Sequence, residues 1–237
     1  MQNVSEPGHF SLNGSVAQNE CDIGSYNPMY AQSECTECEP GFYCPLKAMT
    51  DRLPCPAGKY CGNGSYVPID CPLGTYSNST HQDGIDDCLS CLPGYYCDGR
   101  GATAPSGVCK AGHICFGGAL IPDPVYNNDP TGNKTLITYG DLCHAGFYCP
   151  AGTAVMVACP RGTYNPDIGK SSLSDCLPCD PGQYCADTNL TATTGSCDPG
   201  YYCTGGAYLP NPINNSTGDI CPQHHVCPGG TDIPKTC

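Results

Sequence analysis

The chain has 237 residues, of which 23 are Cys, 30 Gly and 24 Pro, with four Phe and no Trp, and its formal net charge is −13. So few large apolar side chains among so many turn formers exclude one large core, and this much cysteine marks a scaffold held by disulfides. The acidic balance excludes nucleic acid as a partner, because nucleic acid needs a basic footprint.

Residues 1–20 carry no Cys and read as an N-terminal linker or docking segment. Met1 to Glu20 holds no apolar stretch of signal-peptide length, and the chain as a whole has no apolar run long enough to enter a membrane. It therefore reads as a mature product or as a piece of a longer chain. From Cys21 onward one short unit recurs, Cys-x-x-Gly-x-Tyr, beginning at Cys21, Cys38, Cys55, Cys71, Cys91, Cys109, Cys143, Cys159, Cys179, Cys197 and Cys221. Ile114 and Val226 replace the Tyr in two units, and His224 takes the Gly position in the last. Pro40-Gly41, Pro93-Gly94, Pro181-Gly182 and Pro199-Gly200 suit a type II turn, in which Gly supplies the positive φ. The turn then feeds a short strand whose Tyr can cover a neighbouring disulfide. The predicted fold is thus small, disulfide-rich and mostly irregular: short β-hairpins in an elongated tandem array with almost no helix.

Another Cys follows the Tyr position at once in eight units, and the three without it begin at Cys21, Cys71 and Cys159. Each of those three leads, 14 or 17 residues later, to a Cys-x-x-Cys pair: Cys35/Cys38, Cys88/Cys91 and Cys176/Cys179. They open larger repeats at 21–70, 71–158 and 159–236, and Cys237 opens a further one. A nine-residue gap closes each repeat, from Cys61 to Cys71, Cys149 to Cys159 and Cys227 to Cys237. The longest gaps, 116–142 and 204–220, are rich in Asn, Pro and Gly and read as exposed loops.

The Cys-x-x-Cys pairs lie too far apart for a zinc ribbon and have no strand–helix context for redox work, so disulfides are the reading. This many disulfides need an oxidising compartment, extracellular or at the cell surface. Asn-x-Ser/Thr sequons at Asn3, Asn13, Asn63, Asn78, Asn133, Asn189, Asn214 and Asn215 agree, and make N-linked glycans the expected modification. No other cofactor and no metal is expected. His9, His81, His113, His144, His224 and His225 show no metal-protease spacing, and no nucleophile elbow surrounds any Ser. No catalytic residue is assigned, and the chain is not expected to be an enzyme.

The stretch Cys71-Pro-Leu-Gly-Thr-Tyr, Cys88-Leu-Ser-Cys91-Leu-Pro-Gly-Tyr-Tyr-Cys97 and Cys109-x5-Cys115 resembles the ephrin-receptor-type cysteine-rich repeat, and Cys159 to Cys203 matches it equally well. Such repeats are similar in layout to tumour-necrosis-factor-receptor and EGF-like modules, and occur in large extracellular proteins, including flagellar-hair (mastigoneme) proteins. By analogy the resemblance implies bridges Cys71–Cys88, Cys91–Cys109 and Cys97–Cys115, leaving Cys143–Cys149. For the third repeat it implies Cys159–Cys176, Cys179–Cys197, Cys185–Cys203 and Cys221–Cys227. An alternative uses the constant gap and joins Cys61–Cys71, Cys149–Cys159 and Cys227–Cys237. The first scheme leaves Cys237 for an inter-chain or outside partner; the second leaves Cys21.

Two functions from different classes remain open. One is a structural extracellular glycoprotein, a rod-like protomer or segment of a filament such as a flagellar hair or sheath, with itself as the head-to-tail partner. The other is a ligand-binding or adhesion ectodomain whose partners are other extracellular proteins. The second needs an exposed aromatic or Arg hot spot. Arg occurs only at Arg52, Arg100 and Arg161, and Tyr126, Tyr139 and Tyr208 beside the long gaps are the contact candidates.

Overall fold

A Pro-Gly step ahead of an aromatic folds each unit onto itself. At Cys38 the N–H of Phe42 donates to the Glu39 carbonyl at 3.0 Å across Pro40-Gly41, and Gly41 sits at φ 86°. Phe42–Tyr43 then runs antiparallel to Leu53–Pro54. The computed structural model describes residues 4–12, 15, 17–125, 139–213 and 216–237, and repeats this hairpin along them.

Contacts divide the described residues into two compact regions, Met1–Leu92 with Tyr96–Gly107, and Pro93–Tyr95 with Val108–Cys237. In the first, His9–Phe10 pairs with Asn19–Glu20, Ser25–Tyr26 with Thr36–Glu37, Lys59–Tyr60 with Ile69–Asp70, and Thr75–Tyr76 with Leu89–Ser90. In the second, His113–Cys115 pairs with Gly140–Leu142, Phe147–Tyr148 with Val157–Ala158, and Thr163–Tyr164 with Leu177–Pro178. Gln183–Tyr184 with Gly195–Ser196, Tyr201–Cys203 with Gly218–Ile220, and His225–Val226 with Lys235–Thr236 complete it. The helical content among the described residues is two 3₁₀ turns, Ile85–Asp87 and Leu173–Asp175.

Strands of two or three residues are not stable alone. Within each region a hairpin is held by its neighbours through the backbone. In the first region Cys55 N–H donates to the Gly41 carbonyl at 2.9 Å, and Gly41 N–H donates to the Cys61 carbonyl at 2.8 Å. The hairpin beyond adds a third tie, from His81 N–H to the Cys55 carbonyl at 2.9 Å. His81 is left-handed at φ 65°, which aims its own carbonyl at Gly41; a Cβ there would lie 2.7 Å from that oxygen. The second region repeats the seat, with Gly146 between Cys159 and Asn165 and with Asn189 at φ 58° above it. The turn Gly is thus required twice, for its positive φ and for its missing side chain.

Eleven disulfides close, and nearly all their cysteines are buried. Eight bridges join a unit's first Cys to the Cys six residues on: Cys38–Cys44, Cys55–Cys61, Cys91–Cys97, Cys109–Cys115, Cys143–Cys149, Cys179–Cys185, Cys197–Cys203 and Cys221–Cys227. Three span further: Cys21–Cys35, Cys71–Cys88 and Cys159–Cys176.

This corrects the crossed pairs implied by the receptor modules, Cys91–Cys109, Cys97–Cys115, Cys179–Cys197 and Cys185–Cys203. The tight turn brings the two cysteines of one unit to Cα separations of 5.8–6.4 Å, within ordinary bridging reach, so they pair with each other. The alternative through the nine-residue gap is corrected too. That gap is a hairpin return, since Ile69–Asp70 comes back along Lys59–Tyr60 and leads into Cys71. Cys21 has an internal partner in Cys35, so only Cys237 is free, and it is exposed.

Residues 1–20, read as a linker or docking segment, also carry a hairpin. Their described part holds a further unit, Ser5-Glu6-Pro7-Gly8-His9-Phe10, with a buried Ser5 in place of the first Cys. Gly8 N–H donates to the Asn27 carbonyl at 2.8 Å, so this hairpin joins the same ladder.

Candidate functional site

The three units that lack a second Cys replace it with a small polar residue. Asn27, Ser77 and Asn165 stand in its place and are buried. Asn165 Nδ2 donates to the Phe147 carbonyl at 2.9 Å, and its Oδ1 accepts the Asp167 N–H at 3.1 Å. Asn27 does the same with the His9 carbonyl and the Met29 N–H. The side-chain amide therefore pins the unit to the hairpin before it. Ser77 turns its hydroxyl to the Ser79 carbonyl.

Tyr packing follows the predicted pattern. Tyr26 lies on Cys38 and Cys44 with Met49 beside them, and Tyr184 on Cys197, Cys203 and Ala207. The Tyr26 hydroxyl donates to Glu39 Oε1 at 3.1 Å, and the Tyr164 hydroxyl to Asp180 Oδ1 at 3.3 Å. Burial first, and then the adjacent carboxylate, pushes both phenols above their ordinary pKa. Each of the two longest bridges encloses a 3₁₀ turn capped by Asp. Asp87 accepts the N–H groups of Asp83 and Gly84, and Asp175 accepts those of Ser171 and Ser172 plus the Ser172 hydroxyl. These donors hold both carboxyls below the usual range.

Arg52 is engaged internally, while Arg100 and Arg161 are exposed. The Arg52 guanidinium sits 4.4 Å from the Phe42 ring centre and 5.4 Å from that of Tyr26, and Nη1 donates to the Tyr26 hydroxyl at 2.9 Å. Its Nε lies 3.0 Å from Glu39 Oε2, an ion pair not aligned as a hydrogen bond. Arg161 pairs with Asp187 at 3.4 Å. His9, His113 and His225 each point Nδ1 at the backbone carbonyl two residues earlier. Among the described residues no group of three or more His, Cys, Asp or Glu could hold a metal ion, and no helix is long and apolar enough to cross a membrane.

Asn63, Asn78 and Asn189 are exposed on the loops that join the two strands of their own hairpins. Asn63 precedes the left-handed Gly64, and Asn189 is itself left-handed. Asn3, Asn13, Asn133, Asn214, Asn215 and Tyr126 lie outside the described residues. Tyr139 and Tyr208 are both exposed.

The long gaps are more than open loops. Gly117-Gly118-Ala119-Leu120-Ile121-Pro122-Asp123-Pro124 and Gly205-Gly206-Ala207-Tyr208-Leu209-Pro210-Asn211-Pro212 are the same element twice, at the same place in consecutive repeats. Ala119, Ala207, Pro124 and Pro212 are fully buried. Lys110 N–H donates to the Pro122 carbonyl, and Asp198 N–H to the Pro210 carbonyl, each at 2.7 Å. A Cβ on Gly140 or Gly218 would overlap the Pro ring behind it. Aligning the two Gly-Gly-Ala-x-x-Pro-x-Pro stretches is the signal that reveals the element in the sequence.

No family model matches the chain. It is similar to the rat "Sushi, von Willebrand factor type A, EGF and pentraxin domain-containing protein 1", 32% identical over 111 residues, which are 47% of this chain and 2% of that protein. It is also similar to "ABC transporter G family member 28" of Arabidopsis thaliana, 29% identical over 105 residues, 40% of this chain and 9% of that protein. The mouse counterpart of the first is 29% identical over 128 residues, 54% of this chain and 3% of that protein. The chain thus spans under a tenth of the length of these relatives. Closed disulfides in tandem repeats, with this similarity, make the chain a set of cysteine-rich, disulfide-paired repeats of extracellular or cell-surface type.

Proposed function

We propose that the chain is a structural, non-catalytic extracellular glycoprotein, a protomer or segment of a filament such as a flagellar hair or sheath, built from ephrin-receptor-type cysteine-rich repeats. The observation that carries this reading is the shared seat at the turn glycine. Within each region a hairpin supplies backbone groups that position the next, and at Gly41 and Gly146 the left-handed carbonyl two hairpins on closes over the turn. A structure whose units each contact mainly their neighbours suits mechanical continuity better than a concave site does. Arg52, held over Phe42 and Tyr26, is taken up internally, which leaves the receptor alternative only the exposed Arg100 and Arg161 as Arg candidates. Electron microscopy of the native material, with non-reducing electrophoresis, tests the reading. Fibres that contain the chain support it. Monomers alone by both methods overturn it and leave the ectodomain reading, for which exposed Tyr139 and Tyr208 are the contact candidates.

A further inference from the structure

The duplicated Gly-Gly-Ala-x-x-Pro-x-Pro element meets the ladder at Gly206, whose N–H donates to the Cys179 carbonyl and whose own carbonyl lies over Gly162, but the outward side chains of its tip take no part in the ladder. Its buried Ala and Pro fix a tip, and the tip then turns apolar side chains outward. Ile121 is 39% exposed on the first tip; on the second, Tyr208, Leu209 and Ile213 are 41%, 44% and 70% exposed. Singly exposed apolar residues are ordinary, but the same exposed aliphatic at the same place on two copies of a rigid element is a repeated surface.

The tips differ in charge at an equivalent position. The residue after the unit's first Cys is Lys110 beneath the first tip and Asp198 beneath the second. Lys110 Nζ lies 3.7 Å from Asp123 Oδ2, with both side chains about half exposed or more. In the second tip Asn211 replaces that Asp, and its Nδ2 donates to Asp198 Oδ2 at 3.4 Å. Among the described residues Asp198 therefore has no basic partner, while Lys110 is reachable from solvent.

We propose that the two tips are the halves of one contact between copies of this chain. The first tip of one copy packs Ile121 against Tyr208 and Leu209 on the second tip of another, and Lys110 meets Asp198. Two different patches that complement each other make a heterologous contact, which propagates instead of closing on itself. The idea rests on the self-assembly reading above and names its surface. Apolar residues supply the burial, and the charge pair sets orientation and excludes tip one from meeting tip one.

Charge exchange tests it on the full chain purified with its native glycans, with thermal melting as the control that each variant folds. Lys110→Asp and Asp198→Lys are each expected to weaken self-association, read by sedimentation, at least ten-fold. The double exchange, or a mixture of the two single variants, restores it to within a few-fold. Raising salt narrows the gap between wild type and the single variants. Leu209→Asp is expected to abolish association without the rescue. Fibres of the wild type that survive both single exchanges and Leu209→Asp overturn this contact and leave the filament reading standing. A wild type that is monomeric throughout overturns both.

Discussion

The two classes of disulfide divide the labour of the fold differently. The eight short bridges lie inside one hairpin and close only a six-residue separation. The three long ones, over 14 or 17 residues, reach from a unit's first Cys to the return strand of its own hairpin, and the short-range partner they displace becomes a buried Asn or Ser. In the chain-entropy account a short bridge contributes about 2.3 kcal/mol and a long one about 3 kcal/mol. Neither class ties consecutive units together. That cohesion comes from backbone hydrogen bonds at the turn glycine, aided by Asn27 and Asn165.

The largest expected effect is therefore at a glycine seat and not at a sulfur. Gly146→Ala should cost about 3–5 kcal/mol, combining left-handed strain with overlap on the Asn189 carbonyl. Gly200→Ala, at φ 87° but with nothing within 4 Å of an added Cβ, should cost about 1–2 kcal/mol. Urea midpoints measure both, and equal losses would contradict the seat. Next in size, replacing Cys159 and Cys176 by Ala should cost about 3 kcal/mol, against about 2.3 kcal/mol for Cys143 and Cys149; the same melts rank them. Asn165→Ala should follow at about 2 kcal/mol, because it leaves the Phe147 carbonyl and the Asp167 N–H without their partner. A loss below about 0.5 kcal/mol would mean the amide does not stand in for the missing bridge.

The smallest effect is the one with acid. Asp87 and Asp175 are held below the carboxylate range by backbone N–H donors, so their contribution is present above the ordinary carboxyl pKa. It is lost as pH falls through their lowered folded values, below about 4. Asp175→Asn should flatten the fall in melting temperature as pH drops below about 4, where the lowered carboxyl takes up its proton.

The repeat register and the hairpins were legible because Gly, Pro and Cys impose local geometry that needs no tertiary context. The pairing of Cys91 with Cys97 was harder to read, since a six-residue spacing is compatible with pairing inside a unit or across to the next. The unit at Ser5 was hidden because its register was sought through Cys, although Pro7-Gly8-His9-Phe10 carries the turn chemistry in full. The left-handed Ala48 was hidden because its φ is set by the hairpin it caps and not by its own preference, whereas His81 and Asn189 are residue types that favour positive φ. The tips of the two long gaps were legible only by comparing the chain with itself.

Digestion with trypsin in denaturant without reductant tests the bridge account most directly. Arg100 is exposed and separates Cys97 from Cys109. Bridges confined to single hairpins predict that no peptide before the Arg100 cut stays joined to any peptide after it. A disulfide-linked species holding Cys91 or Cys97 together with Cys109 or Cys115 would contradict the account.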